Sequence, residues 1–329
     1  LYSNTTGSLN TATGYAALYF NTSGSWNTAN GYGALYANTS GNYNAANGYG
    51  ALYTNTSGNY NTANGYYALF SNTTGNSNAA TGFYALFANT TGYENDANGL
   101  YALYANTTGY ANVATGARAM YNNTTGFFNT ANGYRAFFNN TTGRGNAATG
   151  YQALLNNTTG YYNTAIGYEA LITNTSGSNN TAIGWGALVP SATSDNQVRV
   201  GNTSVTYAGV QVAWTITSDK RWKSDIKNSE LGLDFVKKLR PVSYFRNNDE
   251  SKKLEYGFIA QEIEEALNNS GASNNGIISK DDKGMYGVRY NDLMSPMVKA
   301  IQEQQQMIEM LKQENKLMQE QIEELKKNK

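Results

Sequence analysis

Hydrophobic and polar positions along the first 190 residues repeat every seventeen residues, not at the two-residue period of a strand or the 3.6-residue period of a helix. The unit reads N-T-[S/T]-G-x-x-N-x-A-x-G-x-x-A-[L/M/F]-x-x and is written eleven times from Asn4 to Pro190 without insertion or deletion. A fixed period of this length marks a solenoid, in which each unit forms one coil and stacks on the next. Each unit is too short for a helix pair and offers about two short extended stretches between its glycines, so the pattern predicts a parallel β-solenoid. Coils rising about 4.8 Å each would give a rod of about 50 Å. The inward face is expected to be the two alanine columns, Ala12 to Ala182 and Ala17 to Ala187, with the Leu18, Leu35 and Leu52 column, in which Met120 and Phe137 are exceptions. Such a core is thin, because burial contributes only about 25 cal/mol per Å² of apolar surface. Several chains are therefore expected to pack together.

The invariant asparagines, such as Asn4, Asn21 and Asn38 in one column and Asn10, Asn27 and Asn44 in another, lie beside the glycines. They are expected at corners, where asparagine tolerates left-handed backbone and its amide can hydrogen-bond along the stack. Each N-T-[S/T] is also formally a glycosylation acceptor, although the turn demands the same residues. Aromatic residues fill two further columns. One holds Tyr15, Tyr32, Tyr49, Tyr66, Phe83, Tyr134, Tyr151, Tyr168 and Trp185, and the other runs from Tyr19 to Phe138. They can pack between subunits, stack along the rod, or form an exposed stripe for a receptor, for which a saccharide is the natural expectation. The tyrosines of the first column and Trp185 are the candidate receptor-binding residues. No hydrolase pair is expected among the repeats, whose only carboxyl side chains are Glu94, Asp96 and Glu169, since glycosidases need two about 5 to 9.5 Å apart on either side of the scissile bond.

Charge divides the chain. Six of its charged residues, Glu94, Asp96, Arg118, Arg135, Arg144 and Glu169, precede Pro190, against 23 basic and 23 acidic residues in all. The net charge of zero gives no electrostatic basis for nucleic-acid binding. With neither cysteine nor histidine, disulfides, thiol chemistry and the usual zinc ligands are excluded, and neither metal nor cofactor is expected. No apolar run is long enough for a membrane helix. The first residue is leucine, so a longer chain with an upstream attachment region is expected.

Four regions follow: the repeat rod over 1–190, a β-stalk over 191–217, a third domain over 218–296 and a coiled coil over 297–329. In the stalk, Val198, Val200, Val205, Val210 and Val212 alternate as candidate inward residues. Ser229 can cap a helix reaching about Leu239, and a second helix is expected over Ala260 to Leu267. From Met294 a heptad pattern places Met294, Ile301, Ile308, Asn315 and Ile322 at a, and Met297, Gln304, Leu311, Met318 and Leu325 at d, which predicts a coiled coil.

Two resemblances add to this. The N-T-A-I-G runs at Asn163–Gly167 and Asn180–Gly184 resemble the head repeats of YadA-type trimeric adhesins, which implies β-rolls in a trimer. From Ser218 to about Gln304, five motifs in order resemble the peptidase S74 family of intramolecular chaperones at the C-termini of phage tail fibres and tailspikes. They are S-D-x-R-x-K at Ser218–Lys223, L-x-P-V-x-Y at Leu239–Tyr244, G-F-I-A-Q-E at Gly257–Glu262, V-x-Y-x-x-L at Val288–Leu293 and A-I-Q at Ala300–Gln302. This resemblance implies a homotrimer, an α+β chaperone domain ending in a three-stranded coil, and autocleavage of the Thr217–Ser218 bond with Ser218 as nucleophile and Lys223 as its partner. Asp219 and Arg221 would orient the site. Residues five apart face apart on a strand, so a turn or another subunit's lysine must complete the pair. The expected function is a virion tail fibre on an extracellular particle surface, joined to an upstream fibre or baseplate component, binding a host glycan or protein receptor without membrane insertion. A bacterial surface adhesin or an ice-binding solenoid with a retained trimerisation domain is the alternative.

Overall fold

The computed structural model describes residues 1–247 and 249–327, which divide into two compact units, Leu1–Val205 and Thr206 onward. In the first unit the repeats form a parallel β-solenoid. Each coil contributes one three-residue strand, from β1 (Thr11–Thr13) and β2 (Thr28–Asn30) to β11 (Thr181–Ile183), and neighbours pair in strict register. Only one stretch per coil is a strand, against the two expected. The other sides are turns that still bond coil to coil, as in Leu35 N–H to Ala51 O at 3.0 Å and Thr39 N–H to Thr56 O at 2.9 Å.

The two alanine columns and the leucine column point inward and are buried along nearly the whole unit. Two asparagine columns join them, Asn21 to Asn174 and Asn27 to Asn180, which the sequence placed at corners. Each side chain of the first column bridges coils: Asn89 Nδ2 donates to Asn72 Oδ1 at 2.8 Å and to Gly92 O at 3.0 Å. Those of the second donate to a carbonyl of the next coil, a glycine's as where Asn95 Nδ2 meets Gly109 O at 2.9 Å, and at the last rung that of Ser194, which Asn180 Nδ2 meets at 2.9 Å. A thin apolar core thus carries two satisfied polar ladders, the condition under which buried amides are tolerated. In the folded rod the amide nitrogen of each N-T-[S/T] sequon from Asn21 to Asn174 is therefore buried and already committed to hydrogen bonds inside the coil.

The left-handed backbone sits elsewhere than expected. It falls at buried Leu35 (φ 52°), Leu52 (φ 52°) and their column, and in two outward columns that include Tyr43 and Arg118. Left-handed geometry costs an ordinary residue roughly 1–2 kcal/mol, which full burial of a leucine side chain offsets at about 1.5–3 kcal/mol. The second glycine of each unit is required for a different reason: at Gly82 (φ 134°) an added Cβ would lie 2.5 Å from the Gly99 carbonyl oxygen.

The register outlasts the repeat motif. β12 (Val198–Val200) pairs with β11, Gln197 N–H donates to Asn180 Oδ1 at 2.8 Å, and Gly201 N–H donates to Ile183 O at 2.8 Å, so the seventeen-residue spacing of Gly201 is a twelfth rung. Val198 and Val200 flank that rung on the outside, 73% and 70% exposed, and Val205, Val210 and Val212 are exposed as well. The inward orientation expected of these valines is not found in the single chain. Beyond Val200 no strand forms before Ser218, because an isolated extended segment has no ladder partner.

In the second unit, α1 (Leu233–Val236), the antiparallel pair β13 (Val242–Tyr244) and β14 (Glu255–Gly257), α2 (Ala260–Asn268), the antiparallel pair β15 (Ile278–Lys280) and β16 (Tyr286–Val288), and α3 (Met294–Lys327) form a small α+β body with a long terminal helix. Phe235, Ile263, Ala266, Leu267, Ile277 and Leu293 make its core. α1 is shorter than expected and is not capped by Ser229, whose hydroxyl accepts instead from Leu231 N–H at 3.2 Å. The cap comes from α3: Glu303 Oε2 accepts from Leu233 N–H at 2.7 Å. Arg240, which precedes Pro241, is disfavoured in helical geometry. On α3 only Pro296 and Ala300 are buried, and the a and d side chains Ile301, Ile308, Leu311, Met318, Ile322 and Leu325 face solvent.

Candidate functional site

Ser218 follows directly on the segment without strands, and the next five residues fold into a tight turn. Asp219 caps a short 3-10 helix over Lys220–Trp222: its Oδ1 accepts from Arg221 N–H at 2.8 Å. The Arg221 guanidinium then closes on the same carboxylate with two hydrogen bonds, Nε to Oδ1 at 3.0 Å and Nη2 to Oδ2 at 2.8 Å. These bonds, led by the side-chain pair, hold the Asp219 carboxyl below its ordinary range and favour the charged form that caps the turn. Lys223 N–H donates to Lys220 O at 3.1 Å, which finishes the turn.

The turn reverses the chain so that Lys223 Nζ donates to Ser218 Oγ at 2.7 Å. A strand would have pointed the two side chains apart. Serine and lysine thus meet within one chain, with Asp219 and Arg221 as the brace. Both are exposed to solvent, as is Trp222 beside them at 81%. A hydroxyl bonded to an amine is the arrangement of a Ser–Lys nucleophile pair, in which the amine must be neutral to take the proton.

The aromatic candidates occupy the solenoid surface. Tyr15, Tyr32, Tyr49 and Tyr66 stack face to face at 4.9 to 5.2 Å, and Tyr134, Tyr151 and Tyr168 at 5.4 and 4.9 Å. All of these and Trp185 are exposed. Between the two runs the column holds Leu100 and Ala117 instead of rings. The second column, from Tyr2 through Tyr36 and Tyr104 to Phe138, is continuous with spacings of 4.7 to 5.6 Å; Tyr2 at its end is exposed, and the rings from Tyr19 onward are half-buried.

Two further features escaped the sequence reading. A third stack runs Tyr93, Tyr110, Phe127 at 4.8 Å spacing and continues through Arg144, whose guanidinium lies 6.0 Å from the Phe127 ring and 4.8 Å from Tyr161. A seventeen-residue count at its position would have revealed it. In the segment before Ser218, Trp214 and Ile216 continue the apolar alternation of Val210 and Val212, and stand 82% and 65% exposed. Among the described residues no helix is long and apolar enough to cross a membrane, and no cluster of carboxylates suits a metal ion.

Residues 218–272 match the Peptidase S74 family, described as the chaperone of endosialidase. The match opens on Ser218 and includes the first three motifs. It ends before the V-x-Y-x-x-L and A-I-Q segments. Comparison with curated proteins and with solved structures gave no match. The chain therefore joins a β-solenoid to a segment that matches the chaperone-of-endosialidase family, a combination that fits a tail-fibre-like protein.

Proposed function

We propose that the chain is the subunit of a homotrimeric fibre of a phage or phage-like particle. Its solenoid would be the shaft and receptor-binding rod, and its C-terminal unit would assemble the trimer and then release itself by cutting the Thr217–Ser218 bond. The observation that carries this reading is the 2.7 Å bond from Lys223 Nζ to Ser218 Oγ at the first residue of the chaperone-of-endosialidase match.

Support for assembly comes from what a single chain leaves uncovered. Tyr207, Val210, Val212, Trp214 and Ile216 are exposed in succession, and so is the heptad face of α3. Soluble chains rarely leave such contiguous apolar surface without a partner. Two further copies of the same chain would cover both, pairing the stalk segments into a ladder and the helices into a coil.

The cut follows from position. Ser218 Oγ attacks the Thr217 carbonyl carbon while its proton passes to the neutral Lys223 amine. The C–N bond breaks, Lys223 returns the proton to the departing Ser218 nitrogen, and an ester links Thr217 to Ser218 Oγ. Water hydrolyses this ester, leaving a Thr217 carboxylate and the restored serine. Burial favours the neutral amine, and both side chains are exposed in one chain, so neighbouring subunits must supply it. Cleavage is thereby conditional on assembly.

An ice-binding rod has less support. Its unbroken threonine column is engaged, as in Thr73 Oγ1 donating to Thr90 O at 3.0 Å and Thr107 Oγ1 to Thr124 O at 3.1 Å.

Intact and native mass spectrometry of the expressed chain, beside Ser218→Ala and Lys223→Ala, tests the proposal. The expected result is a trimer of fragments ending at Thr217 for the natural sequence and uncut trimers for both variants. An uncut natural chain, or cutting in the Ser218→Ala variant, overturns the catalytic assignment.

A further inference from the structure

The rod carries few charges, yet Arg118 and Arg135 occupy the same column of consecutive coils, about 4.8 Å apart along the stack. Both have left-handed backbone, with φ of 59° and 53°. Their N–H groups are tied to the preceding coil, Arg118 to Leu100 O at 2.8 Å and Arg135 to Ala117 O at 3.0 Å. Both are half-buried. The Arg135 guanidinium is held between two rings, 5.7 Å from Tyr134 and 5.1 Å from Phe138. Its Nε is buried without a hydrogen-bond partner. Among the described residues neither arginine takes part in an ion pair.

Two adjacent cations with no anion, beside aromatic faces and partly out of water, repel each other more strongly than exposed charges would. An unpartnered buried guanidinium nitrogen is the kind of group a native structure satisfies when complete. The outer ring column is interrupted at the coil of Arg118 and at the coil before it, where Leu100 and Ala117 stand between Phe83 and Tyr134. The surface there offers a ring edge, a stretch without rings, and two planar forks that bind oxyanions bidentately.

We infer that Arg118 and Arg135, with Tyr134 and the ring gap at Leu100 and Ala117, form a subsite for the carboxylate or sulfate group of an acidic saccharide. The sugar's C–H face lies against the ring and its charged group between the guanidiniums. This rests on the receptor-binding reading of the rod and narrows it from glycans in general to charged ones. It depends on neither cleavage nor the stalk.

The test is titration calorimetry of the full chain at low ionic strength with three probes: tetragalacturonic acid as the carboxylate source, a κ-carrageenan tetrasaccharide as the sulfate source, and neutral cellotetraose. The variants are Arg118→Gln with Arg135→Gln, and Arg118→Lys with Arg135→Lys. Glutamine is compatible with the fold, since Gln152 occupies the same column one coil further with φ 53°. The expected result is binding of one or both acidic probes, weakened by added salt and reduced roughly ten- to hundredfold in the glutamine variant. The lysine variant should retain part of the affinity, as a point charge does without the fork. Equal binding of cellotetraose and the acidic probes, unchanged by the glutamine pair, overturns the inference and leaves the glycan reading standing. Absence of binding by all three probes removes both. A changed subunit count in the glutamine variant would assign the arginines to a contact between chains and also overturns the inference.

Discussion

The two units solve the problem of burying polar backbone in opposite ways. In the solenoid each coil satisfies the next: the Asn89 amide bridges Asn72 and Gly92, Thr73 caps the Thr90 carbonyl, and rings stack on rings. In its backbone and asparagine ladders the rod needs nothing that an identical coil does not supply. The C-terminal unit has a small core around Phe235, Ile263 and Leu267 but presents a long helix whose apolar face meets only solvent. Repetition along one chain completes the first unit, and repetition across chains would complete the second. The difference teaches that a thin core need not signal an unfinished fold when polar ladders run beside it.

This comparison breaks most visibly at the heptad face. Ile308→Asp with Leu311→Asp changes two exposed residues, so a lone chain would keep its fold. A trimer held by that face would dissociate altogether, and light scattering after size exclusion should report a change from three chains to one. An unchanged mass would mean that the helix is not the clamp. The next effect belongs to the rod. Gly82→Ala forces a Cβ to within 2.5 Å of the Gly99 carbonyl oxygen at a φ of 134°, and a strained backbone with a backbone clash should cost several kcal/mol, roughly 3 or more. Circular dichroism should report a lower melting temperature for the β signal, with the helical signal retained.

The smallest effect is one of pH on the rod. Burial, and then hydrogen bonding with Tyr49, push the Tyr67 phenol up to about 12, and burial also raises Tyr53, Tyr84 and Tyr104. An unfolded chain releases these protons near the ordinary tyrosine value of about 10. Between about 10 and 12 the unfolded state therefore binds fewer protons than the folded one, and stability falls as pH rises. Below pH 10 the rod should be insensitive. Denaturant midpoints followed through tyrosine absorbance should decline across that window, less steeply in Tyr67→Phe. An equal decline in both would remove Tyr67 as a cause.

How much was legible beforehand varies with the physical range of each feature. The strict period exposed the solenoid and its Ala and Leu columns, because stacked coils repeat one environment and so one residue type. The same logic could have assigned the asparagines to the interior, but isolated asparagine is a turn residue. Only the ladder, in which every amide meets another seventeen residues away, makes burial tolerable. Gly201 keeps the seventeen-residue spacing although Gln197 and Arg199 break the motif, because the hydrogen bonds between coils continue.

For the candidate site, the sequence supplied the residue types and the Ser218–Lys223 spacing. It did not supply the turn, which rests on Asp219 capping and Arg221 closing over it.

The sequence by itself determined the parallel solenoid, its pitch and columns, the charge division between the units, and the pair of residues at the chaperone boundary. Such properties repeat locally or lie within a few residues of one another, so short-range rules decide them. Tertiary structure alone decided that α1 is capped by Glu303 from α3, that the ladder gains a twelfth rung, that left-handed backbone falls on Leu35 and its column, and that Arg118 and Arg135 stand without counter-ions among the described residues. Each depends on groups brought together from distant positions or other coils, where the free energy of burial and pairing overrides what any residue prefers alone.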